Sequence, residues 1–185
     1  MIMKLEEMCL EELWRLFPVF LVPHKEEWSL WYEEEKKELL NLIPDNIPVI
    51  ITHIGSTAVK DIAAKDIVDI LIETDSIYNM DNICDVLVQS GRLCMSKTEN
   101  RISLNKGYTE KGFAQRVFHY HLRLKGDNDE IYFRDYLNNH PETAREYEKL
   151  KIELWHRYEH DRDTYTNGKT DFIKTYTDKA KRGCR

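Results

Sequence analysis

The chain has 185 residues, of which 42% are hydrophobic and 32% are charged, and its formal net charge is −6. This length fits one compact domain with a sizeable core, and the hydrophobic content excludes an intrinsically disordered chain. The acidic balance argues against a surface that coats nucleic acid, since such binding needs a net basic face. No apolar run reaches the roughly 20 residues of a membrane helix. With an acidic N-terminal segment that does not resemble a secretory signal, the sequence predicts a cytoplasmic protein without membrane contact.

The predicted elements run from helices to strands and back to helices. Apolar residues at helical spacing predict an amphipathic helix over residues 3–17, closed by Pro18, and a second helix over residues 25–43. β-Branched runs predict buried strands over residues 48–54 and 67–72. The later patterns predict a helix over 79–90, strands over 101–106 and 112–124, and helices over 129–139, 141–158 and 169–180. Together these elements predict an α+β fold in which a β-sheet is flanked by helices, with a helical C-terminal cap.

A Gly-Ser turn follows the first predicted strand. Gly55 and Ser56 come directly after Ile54, where a residue without Cβ lets the backbone turn tightly and lets N–H groups approach an anion. Asp69 lies on the next predicted strand, and a carboxylate in this position can hold a divalent metal over phosphates. The same pattern also fits a tight turn followed by a buried aspartate that is satisfied by hydrogen bonds.

Residues around this turn resemble the signature of the GrpB family, whose fold is nucleotidyltransferase-like. The similarity is carried by residues 53–59, 63–65 and 67–70, and it extends back to Trp28. Further similar positions are His119 to Leu122, Phe133 to Leu137, His140, Pro141, Ala144, Tyr147, Leu150, Lys151, Tyr165 and Lys169. The resemblance implies a GrpB-like nucleotidyltransferase-fold domain with a mixed β-sheet over residues 22–185. Residues 1–21 are then an N-terminal helical extension.

The resemblance and the strand alternation together predict a site for a nucleotide or another small phosphate-bearing ligand. The predicted phosphate-binding residues are Gly55, Ser56, Thr57, Lys65 and Arg123. Asp69 and His121 are the predicted catalytic residues and the predicted ligands of Mg²⁺ or Mn²⁺. The surrounding cleft is predicted to include His53, His119, Arg134, Tyr147, Lys151 and Lys169. In-line nucleotidyl transfer is the reaction expected of an active member, whereas the alternative is a polar sheet face on which the histidines bond to Asp69 or water.

The sequence departs from the expected pattern at the second acid. An active nucleotidyltransferase presents acids at positions i and i+2, so that two metal ions can hold the attacking and leaving oxygens. Position i+2 from Asp69 is Leu71. Glu73, at position i+4, is on the same face but lies about 13 Å from Asp69 along an extended strand. Lys60, Asp61 and Asp66 also replace residues that are usually proline or glycine in the family. These departures keep open a second function, a catalytically degenerate binding or interaction module on the same fold.

One further motif spells H-x-x-E-H between His156 and His160. In metallopeptidases this pattern places two histidine ligands on one helix face beside a glutamate. The sequence shows no third ligand downstream, and the family resemblance accounts for this helix as a structural element. We therefore interpret the motif as incidental.

Overall fold

The computed structural model describes residues 5–183 and contains a five-stranded sheet in the order β1-β2-β5-β4-β3. The strands are β1 (Val49–Ile54), β2 (Val68–Thr74), β3 (Leu93–Lys97), β4 (Arg101–Thr109) and β5 (Gly112–Leu124). Strands β2 and β5 are parallel, whereas the other neighbours are antiparallel, so the sheet is mixed. The predicted α+β class with a mixed sheet is confirmed.

Helices precede, interrupt and follow the strands. They are α1 (Leu10–Leu16), α2 (Glu27–Leu42), α3 (Ile77–Gln89), α4 (Asp129–Asn139), α5 (Pro141–Tyr158), α6 (Arg162–Asn167) and α7 (Thr170–Gly183). The side chains of Ser76 and Asp161 accept hydrogen bonds from backbone N–H groups in the first turns of α3 and α6, which fixes where these helices begin. Within residues 5–183 no helix is long and apolar enough to cross a bilayer. The predicted cytoplasmic location stays a prediction.

Three predicted bounds or omissions need correction. The helix predicted over residues 3–17 is, in its described part, a 3-10 turn at Leu5–Glu7 followed by α1; residues 3 and 4 lie outside the described residues. The helix starts late because Cys9 is its N-cap, with its N–H donated to the Glu12 carboxylate. Strand β3 was missed because all its residues are exposed and show no alternation. Helix α6 was missed because it is a short segment of only six residues.

One face of the sheet is apolar and packs against α2 and α3. Trp28 and Leu39 of α2 and Ile83 of α3 are completely buried in one cluster with Ile70 of β2 and Leu122 of β5. Because side chains alternate along a strand, the even-numbered positions of β2 and β5 form this core. The odd-numbered positions, which include Asp69, therefore point to the opposite face.

A group of charges centred on the buried Glu35 and Arg92 lies on the α2 side of the sheet, and we call Glu35, Glu38, Arg92 and Lys106 the paired charge cluster. The Arg92 guanidinium donates to Glu35 Oε1 at 2.5 Å and to Glu38 Oε1 at 2.8 Å. Lys106 donates to the second carboxylate oxygen of Glu35 at 2.8 Å, and the Tyr120 hydroxyl donates to the first at 2.6 Å. Both oxygens of the buried Glu35 are thus satisfied, as a charge in the interior requires.

The C-terminal helices form a second, smaller core with the connector between β1 and β2. Phe133 and Leu137 of α4 and Tyr147 of α5 pack with Val59 and Ile62 of that connector. Pro141 stands at the start of α5, where its missing N–H costs nothing. The predicted helical C-terminal cap is confirmed, and it holds the connector that contains the Gly-Ser turn.

The described part of the N-terminal extension packs onto the rest of the chain. Phe17 and Val19 are buried, and the Val19 N–H donates to the Glu159 carbonyl at 2.8 Å. The Phe17 ring lies 4.8 Å from the Tyr108 ring and 5.0 Å from the Phe113 ring. Helix α1 itself has no buried residue.

Candidate anion-binding site

A cavity of about 1640 Å³ opens on the polar face of the sheet. Its wall is formed by the turn after β1, odd-numbered residues of β2 and β5, and parts of α1, α5, α6 and α7. Ten predicted site residues line it: Gly55, Ser56, Thr57, Lys65, Asp69, His119, His121, Tyr147, Lys151 and Lys169. The structure therefore brings most of the predicted site into one cavity.

The Gly-Ser turn is held close against Asp69. Gly55 has a φ of +74°, a left-handed conformation that favours glycine, and a methyl group at this position would overlap the Asp69 carboxylate. Ser56 begins a 3-10 turn, and both Ser56 and Tyr147 line the cavity. The Thr57 hydroxyl is buried and lies 3.0 Å from Nε2 of His53. Glycine is thus favoured here for two reasons, the left-handed backbone conformation and the lack of space for a Cβ atom beside Asp69.

Asp69 is held by two histidines of the neighbouring strand. It pairs with His119 in the parallel β2–β5 register, and Oδ1 of Asp69 lies 3.3 Å from Nδ1 of His119 and 3.3 Å from Nε2 of His121. Burial alone would raise the pKa of Asp69, but the hydrogen bonds and charges of both histidines outweigh it and hold that pKa well below its usual range. Asp69 is therefore a carboxylate at neutral pH.

A hydrogen-bond chain continues from Asp69 through His119 to two residues that the sequence did not predict. The Tyr108 hydroxyl lies 2.8 Å from Nε2 of His119 and accepts a hydrogen bond from the Arg162 guanidinium at 2.9 Å. Because arginine only donates, the Tyr108 hydroxyl is free to donate to Nε2, which leaves Nδ1–H of His119 facing Asp69. Burial lowers the pKa of His119, which favours this neutral tautomer.

Tyr108 reaches the cavity because of an irregularity in β4. Lys106 and Tyr108 are two positions apart, yet Lys106 bonds to Glu35 on the apolar side, whereas Tyr108 bonds to His119 on the polar side. The pairing of β4 with β5 shifts between them, at Gly107, which has a φ of +94°. A bulge at this point reverses the alternation of side chains.

We call Lys65, Arg162 and Lys169 the open cation cluster. All three line the cavity, which is also bordered by Arg92, Arg101, Lys111, Lys151 and Lys174. The ammonium groups of Lys65 and Lys169 lie 5.6 Å and 4.4 Å from the centroid of the same Tyr165 ring. Among the carboxylates that the structure describes, none forms an ion pair with any of the three cations. The acidic residues Glu110, Asp129, Asp163 and Asp178 also line the cavity and are exposed, whereas the lining residue Glu130 is half-buried.

Burial and mutual repulsion both act on these lysines. Burial, followed by the charges of Lys169 and Arg162, lowers the pKa of Lys65 to about 7. Burial also lowers the pKa of Lys169 to about 8, although the charge of Asp69 acts in the opposite direction. Lys151 is almost fully buried and its ammonium donates to the Ala63 carbonyl, so it supports the connector and is not free to contact a ligand. Its pKa is lowered to about 7, first by burial and then by Lys169.

Three predicted site residues do not line the cavity. Arg123 is buried and donates to the carbonyls of Leu122 at 2.9 Å and Ile102 at 3.4 Å. Arg134 donates to the His53 carbonyl at 2.6 Å, and the His53 ring stacks on the Tyr32 ring at 4.9 Å. Burial lowers the pKa of His53 to about 4. Arg134 and His53 therefore support the end of β1 outside the cavity. The guanidinium of Arg123 is engaged by backbone carbonyls.

The donor set around Asp69 differs from that of a two-metal site. Leu71 is completely buried, and the carboxylate of Glu73 accepts hydrogen bonds from the Gly126 N–H at 2.9 Å and the Asn128 amide at 3.1 Å. Within the described residues, no group of three or more histidine, cysteine, aspartate or glutamate side chains is arranged to hold a metal ion. The residues present therefore do not fit a pair of metal ions.

The H-x-x-E-H motif does not form a ligand pair on one helix face. Helix α5 ends at Tyr158, so Glu159 and His160 lie beyond it. His156 stacks on the ring of Trp155 at 5.3 Å. The geometry agrees with the interpretation of this motif as incidental.

The mixed sheet, the glycine turn against a strand carboxylate and the cation-lined cavity define an α+β protein with a polar cavity on one face of its sheet. A family model described as GrpB protein matches residues 18–179. The chain belongs to the GrpB family, as its sequence predicted.

Relatives of this chain are named GrpB or UPF0157 proteins. The chain is 33% identical over 160 residues to the glutamate-rich protein GrpB of Alkalihalophilus pseudofirmus, covering 84% of this chain and 91% of that one. It is 34% identical over 176 residues to the UPF0157 protein YqkA of Bacillus subtilis, covering 92% of this chain but only 50% of YqkA. The chain therefore spans about half the length of that relative.

A solved structure agrees with this membership. The crystal structure of the conserved protein GrpB from Enterococcus faecalis superposes with a TM-score of 0.76 at 27% identity, covering 90% of this chain and 100% of that one. The Cid1 poly(U) polymerase aligns with a TM-score of 0.47 at 10% identity, over 80% of this chain and 46% of that one, a distant likeness that carries no functional inference. Helix α1 precedes the segment that the family model matches.

Proposed function

We propose that the cavity binds a nucleotide or another small phosphate-bearing ligand, with the phosphates between the Gly55–Ser56 turn and the open cation cluster. The observation that carries this proposal is that Lys65, Arg162 and Lys169 share one cavity and none of them has an ion-pair partner in the described chain. Partly desolvated cations without a partner lower the stability of a fold. A bound polyanion would offset that cost, so binding is the use that best explains the cluster.

Each group at the site has a distinct part in this proposal. The two lysines offer compact positive charges, and the planar Arg162 guanidinium can hold two phosphate oxygens at once. The backbone N–H groups of the turn at Gly55 add neutral donors at close range. Lys151 takes no direct part, because its ammonium is already bonded to the Ala63 carbonyl.

Binding without catalysis is the form of this function that the carboxylates favour. Leu71 occupies the position of the second acid, and Glu73 is engaged by Gly126 and Asn128. We therefore propose that phosphate binding does not require Mg²⁺ or Mn²⁺. Metal-dependent nucleotidyl transfer by Asp69 and His121 stays a prediction, and a degenerate binding module is the reading supported by Leu71.

Calorimetric titration tests the proposal with ATP as the probe, first in EDTA and then with Mg²⁺ or Mn²⁺. We expect ATP to bind in EDTA and the Lys169→Met variant to bind at least about tenfold more weakly, or ~1.4 kcal/mol, because one charge-assisted contact is lost. Lys37→Met, on the exposed side of α2, is the matched control and should bind as the wild type does. Equal binding by Lys169→Met and the wild type would contradict the proposal.

The Asp69→Asn variant separates the two readings of the carboxylate. If Asp69 only borders an anion site, removing its charge reduces repulsion of the phosphates and should tighten binding in EDTA. If Asp69 holds a metal ion, the same variant should abolish binding that depends on Mg²⁺ or Mn²⁺. The second result would favour the enzyme over the binding module.

A further inference from the structure

Helix α1 presents an apolar face to the cavity. Leu10, Leu13 and Trp14 lie three and four positions apart, so they share one side of the helix. All three line the cavity, none is buried, and Leu10 is 55% exposed. An apolar face that borders an open cavity instead of a packed core indicates a surface for an apolar group of a ligand.

Trp14 and Phe17 differ in how their rings are used. The Phe17 ring packs against Tyr108 at 4.8 Å and Phe113 at 5.0 Å, which fixes the C-terminal end of α1. The Trp14 ring packs against no other aromatic ring in the described part of the chain. One aromatic side chain of this segment is therefore packed in the fold, whereas the other is half-buried and lines the cavity.

The apolar face lies close to the open cation cluster. Phe17 contacts the ring of Tyr108, and the hydroxyl of Tyr108 accepts a hydrogen bond from Arg162 at 2.9 Å. Trp14 precedes Phe17 by three residues, a rise of about 4.5 Å along the helix axis. The cavity that joins them, about 1640 Å³, exceeds the roughly 300–1,000 Å³ of a usual small-molecule site. A ligand with a phosphate end and an aromatic end fits both walls.

We infer that α1 forms a base-binding subsite, in which Trp14, with Leu10 and Leu13, receives the aromatic base of a nucleoside triphosphate whose phosphates lie at the open cation cluster. This inference rests on the proposed function and makes it more specific. Bases stack readily on tryptophan whatever their identity, so the subsite selects for an aromatic ring and not for one base. Inorganic polyphosphate would leave the face of α1 uncovered. Helix α1 lies outside residues 18–179, the segment that the family model matches.

The test compares ATP with inorganic tripolyphosphate, which carries the phosphates without the base. We expect the wild type to bind ATP at least tenfold more tightly than tripolyphosphate. In Trp14→Ala that preference should fall below threefold, while the affinity for tripolyphosphate stays within a factor of two of the wild type. Leu30→Ala is the matched control, since Leu30 is an apolar residue of α2 that is 63% exposed and lies outside the cavity. It should change neither affinity.

A second variant guards against local unfolding of α1. Trp14→Phe keeps an aromatic ring, so it should retain most of the preference for ATP while reducing the tryptophan fluorescence change on binding. A wild type that binds ATP and tripolyphosphate equally would overturn the subsite and leave the proposed function standing. A Trp14→Ala variant that keeps the full preference would overturn it as well. If neither anion binds the wild type, the proposed function fails and this inference fails with it.

Discussion

Two groups of charges in this protein differ in whether their members are paired. In the paired charge cluster, Arg92 and Lys106 neutralise Glu35, which has both carboxylate oxygens bonded. In the open cation cluster, Lys65 and Lys169 face the same Tyr165 ring and form no ion pair with any carboxylate that the structure describes. The ion pairs of the first group link α2 to the sheet. The positive charges of the second group have no carboxylate partner in the described part of the chain.

We propose from this difference that the paired cluster serves the fold and that the open cluster serves a ligand. Removing one member of a buried ion pair strongly destabilises the fold, because the other member is left buried without a partner. An unpaired charge weakens the fold until something of opposite sign arrives. Removing a member should therefore lower stability in the paired cluster and raise it in the open one. The following predictions test that opposition, beginning with the largest effect.

Breaking the paired cluster should cost the most stability. Arg92→Met leaves Glu35 buried with one cationic partner fewer, and we expect the free energy of unfolding to fall by about 3 kcal/mol. Urea denaturation measures this change. Lys97→Met, which breaks the exposed Lys97–Asp81 pair, is the control and should show no measurable loss. If Arg92→Met is as stable as the wild type, the two clusters do not differ as described.

The turn against Asp69 should be the next most sensitive position. Gly55→Ala meets both a left-handed backbone and the Asp69 carboxylate, and should lower the free energy of unfolding by about 2 kcal/mol. Gly91→Ala is the matched control, because Gly91 has a φ of +92° but open space around it, and should cost about 1 kcal/mol. Thermal or urea unfolding of both variants isolates the overlap with Asp69. Equal losses would show that the close approach is unimportant.

The open cluster should respond with the opposite sign. We expect Lys65→Met to raise the free energy of unfolding by about 1 kcal/mol at pH 7 without ligand, because a desolvated charge is removed. The pKa of Lys65 is about 7 in the fold and about 10.4 in an unfolded chain, so the unfolded state binds more protons between these values. The cost of Lys65 is therefore complete below pH 7 and disappears as the pH rises toward 10.4.

Urea denaturation of wild type and Lys65→Met between pH 6 and 9 measures that trend. The advantage of the variant should shrink as the pH rises, since the lysine of the wild type becomes neutral. An advantage that grows with pH, or a variant less stable than the wild type at pH 7, would contradict the assignment of Lys65 to an open cluster.

The smallest effect is expected at the hydrogen-bond chain that runs from Asp69 through His119 and Tyr108 to Arg162. Tyr108→Phe removes the hydroxyl that joins Arg162 to His119, and should lower the free energy of unfolding by about 0.5 kcal/mol. Tyr78→Phe, at a residue that is 74% exposed, is the control and should have no effect. A loss of 2 kcal/mol or more at Tyr108 would mean that this chain is a structural support comparable to the paired cluster.

The sequence predicted those parts of the site that depend on local rules. Gly55 and Ser56 were found because a turn after a strand has a composition signal, and His119 and His121 were found on one face because strands alternate. The parallel β2–β5 register then placed both histidines against Asp69. Arg123 follows the same alternation but lies further along the strand, where backbone carbonyls take up its donors.

The parts that the sequence did not predict depend on irregularity or on long-range packing. Tyr108 was missed because the bulge at Gly107 reverses the alternation of β4, which a regular period cannot show. Arg162 was missed because it belongs to the short helix α6. The N-cap at Asp161 is a local signal for this helix, but the contact of Arg162 with Tyr108 of β4 depends on long-range packing. The absence of ion pairs at Lys65 and Lys169 is also a property of three-dimensional placement.

Stabilisation by inorganic tripolyphosphate tests the open cation cluster most directly. A ligand that binds only the folded state raises the free energy of unfolding by about 2.7 kcal/mol at 100 times its Kd. We predict a stabilisation of this kind for the wild type in EDTA, and at most about one tenth of it for the double variant Lys65→Met, Lys169→Met at the same concentration. Equal stabilisation of both proteins by tripolyphosphate would contradict the account.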